Sequence, residues 1–331
     1  MTEKSHKEQG TSNEPLDPQL RPQSWDEYIG QENIKDNLHI LLTAAKNRGQ
    51  QPEHILFYGP PGLGKTTLSY LIARETKKNI KITSGPAIEK VGDLASILTN
   101  LGEGDILFID EIHRMNKNIE EILYPAMESG MLDIIIGKGP SARTIQLDLP
   151  PFTLLGATTK LAMMSSPLRS RFSGGVFKLE FYSEEEIGRI IKQSAGKLNI
   201  NIEESAINEI AKRSRFTPRT ANYFLKRCRD YVEVHGGDFN KEAVLKALDL
   251  IGIDSLGLRA IDREVLSVIV NKFKGGPVGV KTIATATHEE ESSIETVIEP
   301  YLIQLGLIEL TSRGRISTQK AIDYINKHSI M

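Results

Sequence analysis

The residues with the clearest chemistry are Gly59-Pro-Pro-Gly62-Leu-Gly64-Lys65-Thr66, which directly follow the apolar run Ile55-Leu-Phe-Tyr58. A strand that ends in a glycine-rich turn and opens a helix gathers backbone N–H groups and a helix N-terminus around one anion. Gly62 and Gly64 let the backbone approach phosphate oxygens, Lys65 reaches the β- and γ-phosphates, and the Thr66 hydroxyl can ligate Mg²⁺. A chance glycine-rich turn would lack this strand-loop-helix setting. The loop is expected to bind a nucleoside triphosphate.

A second apolar run, Ile106-Leu-Phe-Ile109, leads into Asp110-Glu111-Ile112-His113. Four apolar residues without alternation read as a strand buried on both faces of a parallel sheet. The two carboxylates then sit at its C-terminal end, where ligands of open α/β sheets lie. Asp110 can hold the Mg²⁺ shell and Glu111 can polarise an attacking water. A helix N-cap with an acidic first turn would also explain Asp-Glu taken alone. His113 receives no catalytic role, because a lone histidine is more often a hydrogen-bonded structural residue.

Phosphoryl transfer needs charge stabilisation more than covalent chemistry, so further cationic and polar groups should aim at the γ-phosphate. Gly156-Ala-Thr158-Thr159 ends a buried strand and offers a hydroxyl to orient water. Ser166-Pro-Leu-Arg169-Ser-Arg171-Phe172 offers two arginines, one of which could reach a nucleotide held by a neighbouring subunit. Pro218-Arg219 places a cation at a helix start.

These residues require a scaffold, and the chain is long enough for two or three domains at 331 residues. A 39% hydrophobic and 25% charged composition is that of a globular protein. The single cysteine excludes an internal disulfide framework and a cysteine-based zinc site. No apolar stretch approaches a membrane span and the start has no signal-peptide core, so no membrane association and a cytoplasmic location are expected. A net charge of −2 gives no global pull toward nucleic acid, which leaves DNA contact to local patches.

Residues 1–19 are polar and read as a disordered tail. From 20 to 182, strand-like and helix-like segments alternate as in a doubly wound parallel sheet, with strands near 55–58, 80–83, 106–109, 153–157 and 176–181. Within this domain 131–136, a turn at 137–141 and 144–149 form a predicted β-hairpin, whose exposed apolar residues would mark a partner surface. Residues 183–255 read as a small all-helical domain of three segments. Its third segment starts at Thr217-Pro218 and buries Ala221, Phe224, Leu225, Cys228 and Val232 on one face. The block 256–331 has helices near 259–274, 281–287 and 291–306, then two short strands around 311–315 and a closing helix. Three helices followed by a hairpin is a winged-helix pattern, with Arg313 and Arg315 at the tip where a wing meets phosphates. The same two residues could also be a solvated turn.

Five of these strings closely resemble the RuvB family of AAA+ motors: 57–67, 107–114, 136–142, 151–159 and 217–219. Gly275-Gly-Pro-Val-Gly279 in the last block adds a sixth. The resemblance covers about 20 to 320. It implies an ATP-driven hexameric ring that moves duplex DNA at Holliday junctions held by RuvA, with ATP and Mg²⁺ bound and RuvC resolvase as a further partner. It also implies an AAA+ sheet domain, a helical lid and a winged helix. Leu20, Arg21, Tyr28 and Ile29 would surround the adenine and ribose, with Tyr182 beside the nucleotide. Gly62, Gly64, Lys65, Thr66 and Thr67 would bind phosphates, and Thr66 and Asp110 the metal. Asp110 and Glu111 would act with Thr158 as first sensor, Arg171 as the finger in trans and Arg219 as second sensor. The hairpin at about 131–149 would contact RuvA, and Arg313 and Arg315 would contact DNA.

The chain departs from the family pattern at Leu310, where an arginine is common, and at Ser312, where a proline is; Arg315 is then the favoured wing contact. Ser173-Gly174-Gly175 is one residue longer than usual, which leaves Arg169 beside Arg171 as a candidate finger. A clamp-loader-like or protein-remodelling AAA+ ATPase is the alternative function, as is a DNA-binding regulator gated by nucleotide; the terminal winged helix argues against the first two.

Overall fold

In the computed structural model, which describes residues 18–136 and 143–328, the apolar runs of the first half become strands in one sheet. These are β1 (Ile55–Tyr58), β2 (Ile80–Ser84), β3 (Ile106–Asp110), β6 (Thr153–Thr158) and β7 (Gly175–Lys178), with the hairpin β4 (Met131–Ile136) and β5 (Arg143–Asp148) between β3 and β6. The sheet runs β2-β3-β6-β1-β7 and every pair is parallel. Helices α1 (Glu32–Asn47), α2 (Lys65–Thr76), α3 (Val91–Thr99), α4 (Lys117–Ser129) and α5 (Ser166–Ser170) complete this part. Period-two alternation divides the three central strands, β3, β6 and β1, between two cores. Ile55 and Phe57 join Leu38, Leu68 and Leu71 on one face, while Leu56 and Leu107 join Leu94, Leu98 and Leu123 on the other. Continuous apolar runs are thus what a sheet covered on both sides demands.

The last strand stops at Lys178 rather than continuing to 181. Beyond it Leu179 N–H still donates to the Tyr58 carbonyl at 2.8 Å, but Tyr182 N–H turns away to the Phe216 carbonyl at 3.1 Å. The hairpin pairs Met131 with Asp148 through Ile136 with Arg143, and its predicted turn lies outside the described residues, as does most of the N-terminal tail. Ile145 is exposed on this hairpin.

Four helices follow, one more than expected: α6 (Glu184–Lys197), α7 (Glu204–Arg213), α8 (Pro218–His235) and α9 (Lys241–Leu250). The unanticipated α9 starts at an Asn240 cap that accepts from Ala243 N–H, and it buries Val244, Ala247 and Leu248. Ser183 and Glu186 form the reciprocal cap read from the sequence at the start of α6. Cys228 lies fully buried on α8, and burial pushes its thiol pKa up to about 12. It should therefore resist a thiol reagent in the native protein and react fully in denaturant, which a timed colorimetric assay reads directly.

The C-terminal part has α10 (Ala260–Ser267), prolonged by a π-helical turn at Val268–Lys272, then α11 (Val280–Thr287). Next, α12 (Glu291–Ser293) and α13 (Glu299–Gln304) are joined by a π-helical turn, Ile294–Ile298. The hairpin β8 (Ile308–Thr311) and β9 (Gly314–Ser317) and helix α14 (Gln319–His328) close the chain. Leu266, Ile269, Ile283, Ile294, Leu302 and Ala321 share its core. Gly314 is obligatory: at φ 133° a Cβ would stand 2.5 Å from the Val278 carbonyl.

Two junctions bind the parts together. Arg215, just before α8, reaches Asp262 on α10 at 2.5 Å, donates to the Val297 carbonyl at 2.9 Å and stacks 4.3 Å above Tyr301. Lys160, just after β6, pairs with Glu295 at 2.9 Å. No helix among the described residues is long and apolar enough to cross a membrane.

Candidate nucleotide site and wing

The strand order gathers the candidate groups. Because β6 lies between β3 and β1, the loop after β1, the carboxylates ending β3 and the threonines ending β6 open at one edge of the sheet. Gly64 precedes α2 at φ 101°, where a Cβ would come within 2.9 Å of the Tyr28 hydroxyl. Lys65 is buried and donates to the Gly59 and Pro60 carbonyls, both at 2.8 Å. Burial is the main influence lowering its pKa to about 8, against the opposing pull of Asp110 and Glu111. Thr66 is half-buried at the helix start and Thr67 is buried behind it.

Glu111 has a left-handed backbone, φ 49° and ψ 39°, an uncommon conformation for a residue with a side chain. It is held by Asp110, whose Oδ1 accepts Glu111 N–H at 2.9 Å, and by Arg114 N–H, which donates to the Glu111 carbonyl at 2.9 Å. Gly85 makes room, since a Cβ there would lie 2.5 Å from that carbonyl. Such strain costs about 1–3 kcal/mol and concentrates at functional sites. Burial, then Asp110, raises the Glu111 pKa.

The two adjacent threonines at the end of β6 are placed differently. Thr158 is fully buried, and its hydroxyl lies 2.8 Å from His113 Nδ1 and accepts Lys160 N–H at 3.0 Å. Its neighbour Thr159 is half-buried and its side chain lies near enough to the Glu111 carboxylate to pull the pKa of that group down. Thr158 closes a strand of six buried residues, so alternation sends the next side chain toward the strand-end opening.

The helical part of the chain and the segment before α1 also supply residues. Arg219 N–H donates to the Gly62 carbonyl at 3.4 Å, and a Cβ on Gly62 would meet the Arg219 Cβ at 3.1 Å. The Tyr182 hydroxyl stands 3.2 Å from both the Tyr28 hydroxyl and the Leu63 carbonyl. Leu20 is buried, Ile29 half-buried, and Arg21 stacks 4.0 Å above Tyr70. Lys197 of α6 ties this strap down through the Arg21 carbonyl at 3.2 Å and Glu27 at 2.7 Å. The Nε atoms of Arg21 and Arg219 are buried without a hydrogen-bond partner. Orphaned cationic donors beside a glycine cradle fit an anionic ligand such as a triphosphate. Among the described residues no cluster of three or more His, Cys, Asp or Glu could cage a metal alone. A Mg²⁺ held by Thr66 and Asp110 would need phosphate oxygens to complete its shell, as is usual for that ion.

Arg171 does not project freely. Its guanidinium donates to the Pro167 carbonyl at 2.7 Å, meets Glu128 at 3.0 Å and lies 4.2 Å above Tyr124, whereas Arg169 is exposed. At the wing the two arginines differ in their surroundings. Arg315, favoured from the sequence, is engaged by Glu299 at 2.5 and 3.0 Å with Glu295 at 3.9 Å, because α13 packs behind β9 and presents its carboxylate there. Arg313 is exposed at the tip, as is Leu310.

Residues 20–178 match the family model for the Holliday junction DNA helicase RuvB P-loop domain, 182–254 that for the RuvB AAA lid domain, and 255–326 that for the RuvB C-terminal winged helix domain. The chain is similar to the Holliday junction branch migration complex subunit RuvB of Fusobacterium nucleatum, with 55% identity over 309 residues and 93% of each chain covered. The subunit of the same name from Dehalococcoides mccartyi is 54% identical over 317 residues, covering 96% of this chain and 90% of that one. Among solved structures, the Thermotoga maritima RuvB Holliday junction branch migration motor is 47% identical with a TM-score of 0.86, covering 93% of this chain and 98% of that one.

Proposed function

The chain belongs to the RuvB family, and from that premise we propose that it is the ATP-hydrolysing motor subunit that drives branch migration of Holliday junctions. The observation that carries the mechanism is the meeting of Lys65, Asp110 and Glu111 at the ends of the two strands that flank β6, closed from the lid by Arg219. Gly62, Gly64, Lys65, Thr66 and Thr67 hold the phosphates of ATP, and Leu20, Arg21, Tyr28, Ile29 and Tyr182 surround the base and ribose. Thr66 and Asp110 would hold Mg²⁺, which would supply positive charge to the phosphates. Glu111 orients the attacking water, with Thr159 replacing Thr158 as the hydroxyl at its side. Arg219 stabilises charge on the γ-phosphate when the lid closes.

Six subunits form a ring in the cytoplasm, each completing its neighbour's site with Arg171 in trans. Residues 20–182 supply the sheet domain, 183–255 the lid and 256–331 the winged helix. Arg313 at the exposed tip leads the DNA contact. The hairpin at 131–149, with Ile145 exposed, is the surface for RuvA, which supplies junction specificity; RuvC joins the same junction.

The test is ATP turnover with duplex DNA, and with junction DNA plus RuvA, for the native protein, Lys65→Ala and Glu111→Gln. Lys65→Ala is expected to lose nucleotide binding, and Glu111→Gln to bind ATP without turning it over. Strong stimulation by DNA, and junction movement only with RuvA, supports the proposal. Turnover indifferent to DNA would move the substrate to a protein partner.

A further inference from the structure

His113, two residues after Glu111, stands between two groups of the candidate site. Its side chain is 4% exposed and bridges two groups of the site. Nδ1 lies 2.8 Å from Thr158 Oγ1, and Nε2 lies 3.4 Å from Glu111 Oε2. We propose that His113 is the positioning residue for Glu111, with Thr158 setting its tautomer, so that the three side chains act as one hydrogen-bonded unit. This rests on the assignment of Glu111 as the group that orients the attacking water.

The proton positions follow from the partners. Burial, then Arg114 and Lys160, lowers the His113 pKa to about 4, so the ring is neutral near pH 7 and carries one N–H. A carboxylate only accepts, so the nitrogen facing Glu111 must be the protonated one. Nδ1 is then an acceptor, and the only group it faces with a proton to give is the Thr158 hydroxyl. That hydroxyl can supply its proton because its oxygen already accepts Lys160 N–H at 3.0 Å. Each atom has a single role, from the Lys160 backbone through Thr158 and the imidazole to the carboxylate. The opposite tautomer would aim a lone pair at a negative charge.

The arrangement restrains Glu111 from two sides, by His113 and by the Thr159 side chain. Its backbone is already fixed in the left-handed region by Asp110 and by the close approach to Gly85. The 3.4 Å separation is long for a hydrogen bond, and catalytic contacts of this kind commonly tighten when substrate binds. A small rotation of the Glu111 side chain closes it. His113 touches neither substrate nor metal in this scheme; it acts through Glu111 alone.

The experiment compares His113→Phe, His113→Gln, Thr158→Val and the His113→Phe/Thr158→Val double variant in the full-length protein. Steady-state kcat and KM for ATP are measured with duplex DNA, alongside affinity for a non-hydrolysable ATP analogue and thermal melting. His113→Phe fills the space without hydrogen bonds and is expected to lower kcat about 10- to 100-fold, the range for losing a partner that orients a first-line ligand at metal sites. KM and analogue affinity should stay at native values. His113→Gln, whose amide N–H can reach Glu111, should recover most of the loss. Thr158→Val should cost less than His113→Phe, and the double variant no more than His113→Phe alone.

Native kcat in His113→Phe, with Glu111→Gln inactive, overturns the proposal and leaves the role of Glu111 standing. An active Glu111→Gln removes the underlying assignment instead. Equal losses in the phenylalanine and glutamine variants, accompanied by weaker analogue binding or a lower melting temperature, show a merely structural histidine and also overturn it.

Discussion

Replacing Arg171 by alanine is expected to lower ATP turnover by about 10³–10⁵-fold while leaving nucleotide affinity nearly intact, the scale for arginine fingers in phosphoryl-transfer enzymes. The resting position of Arg171 does not oppose this. Its partner Glu128 is 59% exposed on the side chain, and an ion pair of that kind contributes about 0–1 kcal/mol. The stack on Tyr124 adds about 0.5–2 kcal/mol. Release toward a neighbouring subunit also gives up the hydrogen bond to the Pro167 carbonyl, about 1.5–3 kcal/mol for a charged donor, against about 4–7 kcal/mol for a 10³–10⁵-fold effect. Arg169→Ala, which removes an exposed side chain, should change turnover little. Mixing Arg171→Ala with Lys65→Ala subunits should restore part of the activity, since each lacks a different half of a shared site. A severe loss in Arg169→Ala with a mild one in Arg171→Ala would transfer the role to Arg169.

The second large effect concerns stability. Asp262 is fully buried and Arg215 nearly so, and burial alone would raise the carboxyl pKa; Arg215 and Arg259 more than offset it and hold the pKa low. Asp262→Ala strands the Arg215 guanidinium without its carboxylate. Breaking a buried pair from one side costs about 3–5 kcal/mol, a large part of the stability of one domain. The same carboxylate also accepts Arg259 N–H at 2.8 Å at the start of α10, so the cap is lost with it. Urea unfolding of the full chain should show the destabilisation in the part that contains α10. The Arg215→Met/Asp262→Leu double variant should lose much less, because neither charge is left alone. An alanine variant as stable as the native protein would mean that water enters the junction and solvates Arg215.

What could be read in the sequence follows from how local each signal is. The strands β1 and β3 were legible because four apolar residues in a row have no other use beside a glycine-rich loop and paired carboxylates. The winged-helix pattern was likewise legible from helix spacing. Three features were not. Helix α9 is a ten-residue segment whose amphipathic face carries only Val244, Ala247 and Leu248. The end of β7 depends on a long-range hydrogen bond from Tyr182 to Phe216. The wing depends on which carboxylate packs behind it: Glu299 lies on another element, so Arg313 and Arg315 look alike in sequence and differ in the fold. At the candidate site, adjacent threonines are equivalent as letters, and only the exit from a fully buried strand separates Thr158 from Thr159. His113 reads in sequence as a lone histidine, because its partner Thr158 comes from a different strand and only the fold brings the two together.

The carboxylates behind the wing alter what a basic residue can offer to DNA. A free arginine attracts a cloud of small anions, and a phosphate attracts cations whose escape drives association, with about 0.9 in the log–log salt slope for each phosphate neutralised. Arg315 already carries Glu299 as its anion, so a phosphate arriving there exchanges one ion pair for another. Glu295, 3.9 Å from the Arg315 guanidinium, also pairs with Lys160 just after β6, so one carboxylate serves both the wing and the sheet domain. A phosphate placed at the wing would therefore release fewer ions at Arg315 than at the exposed Arg313.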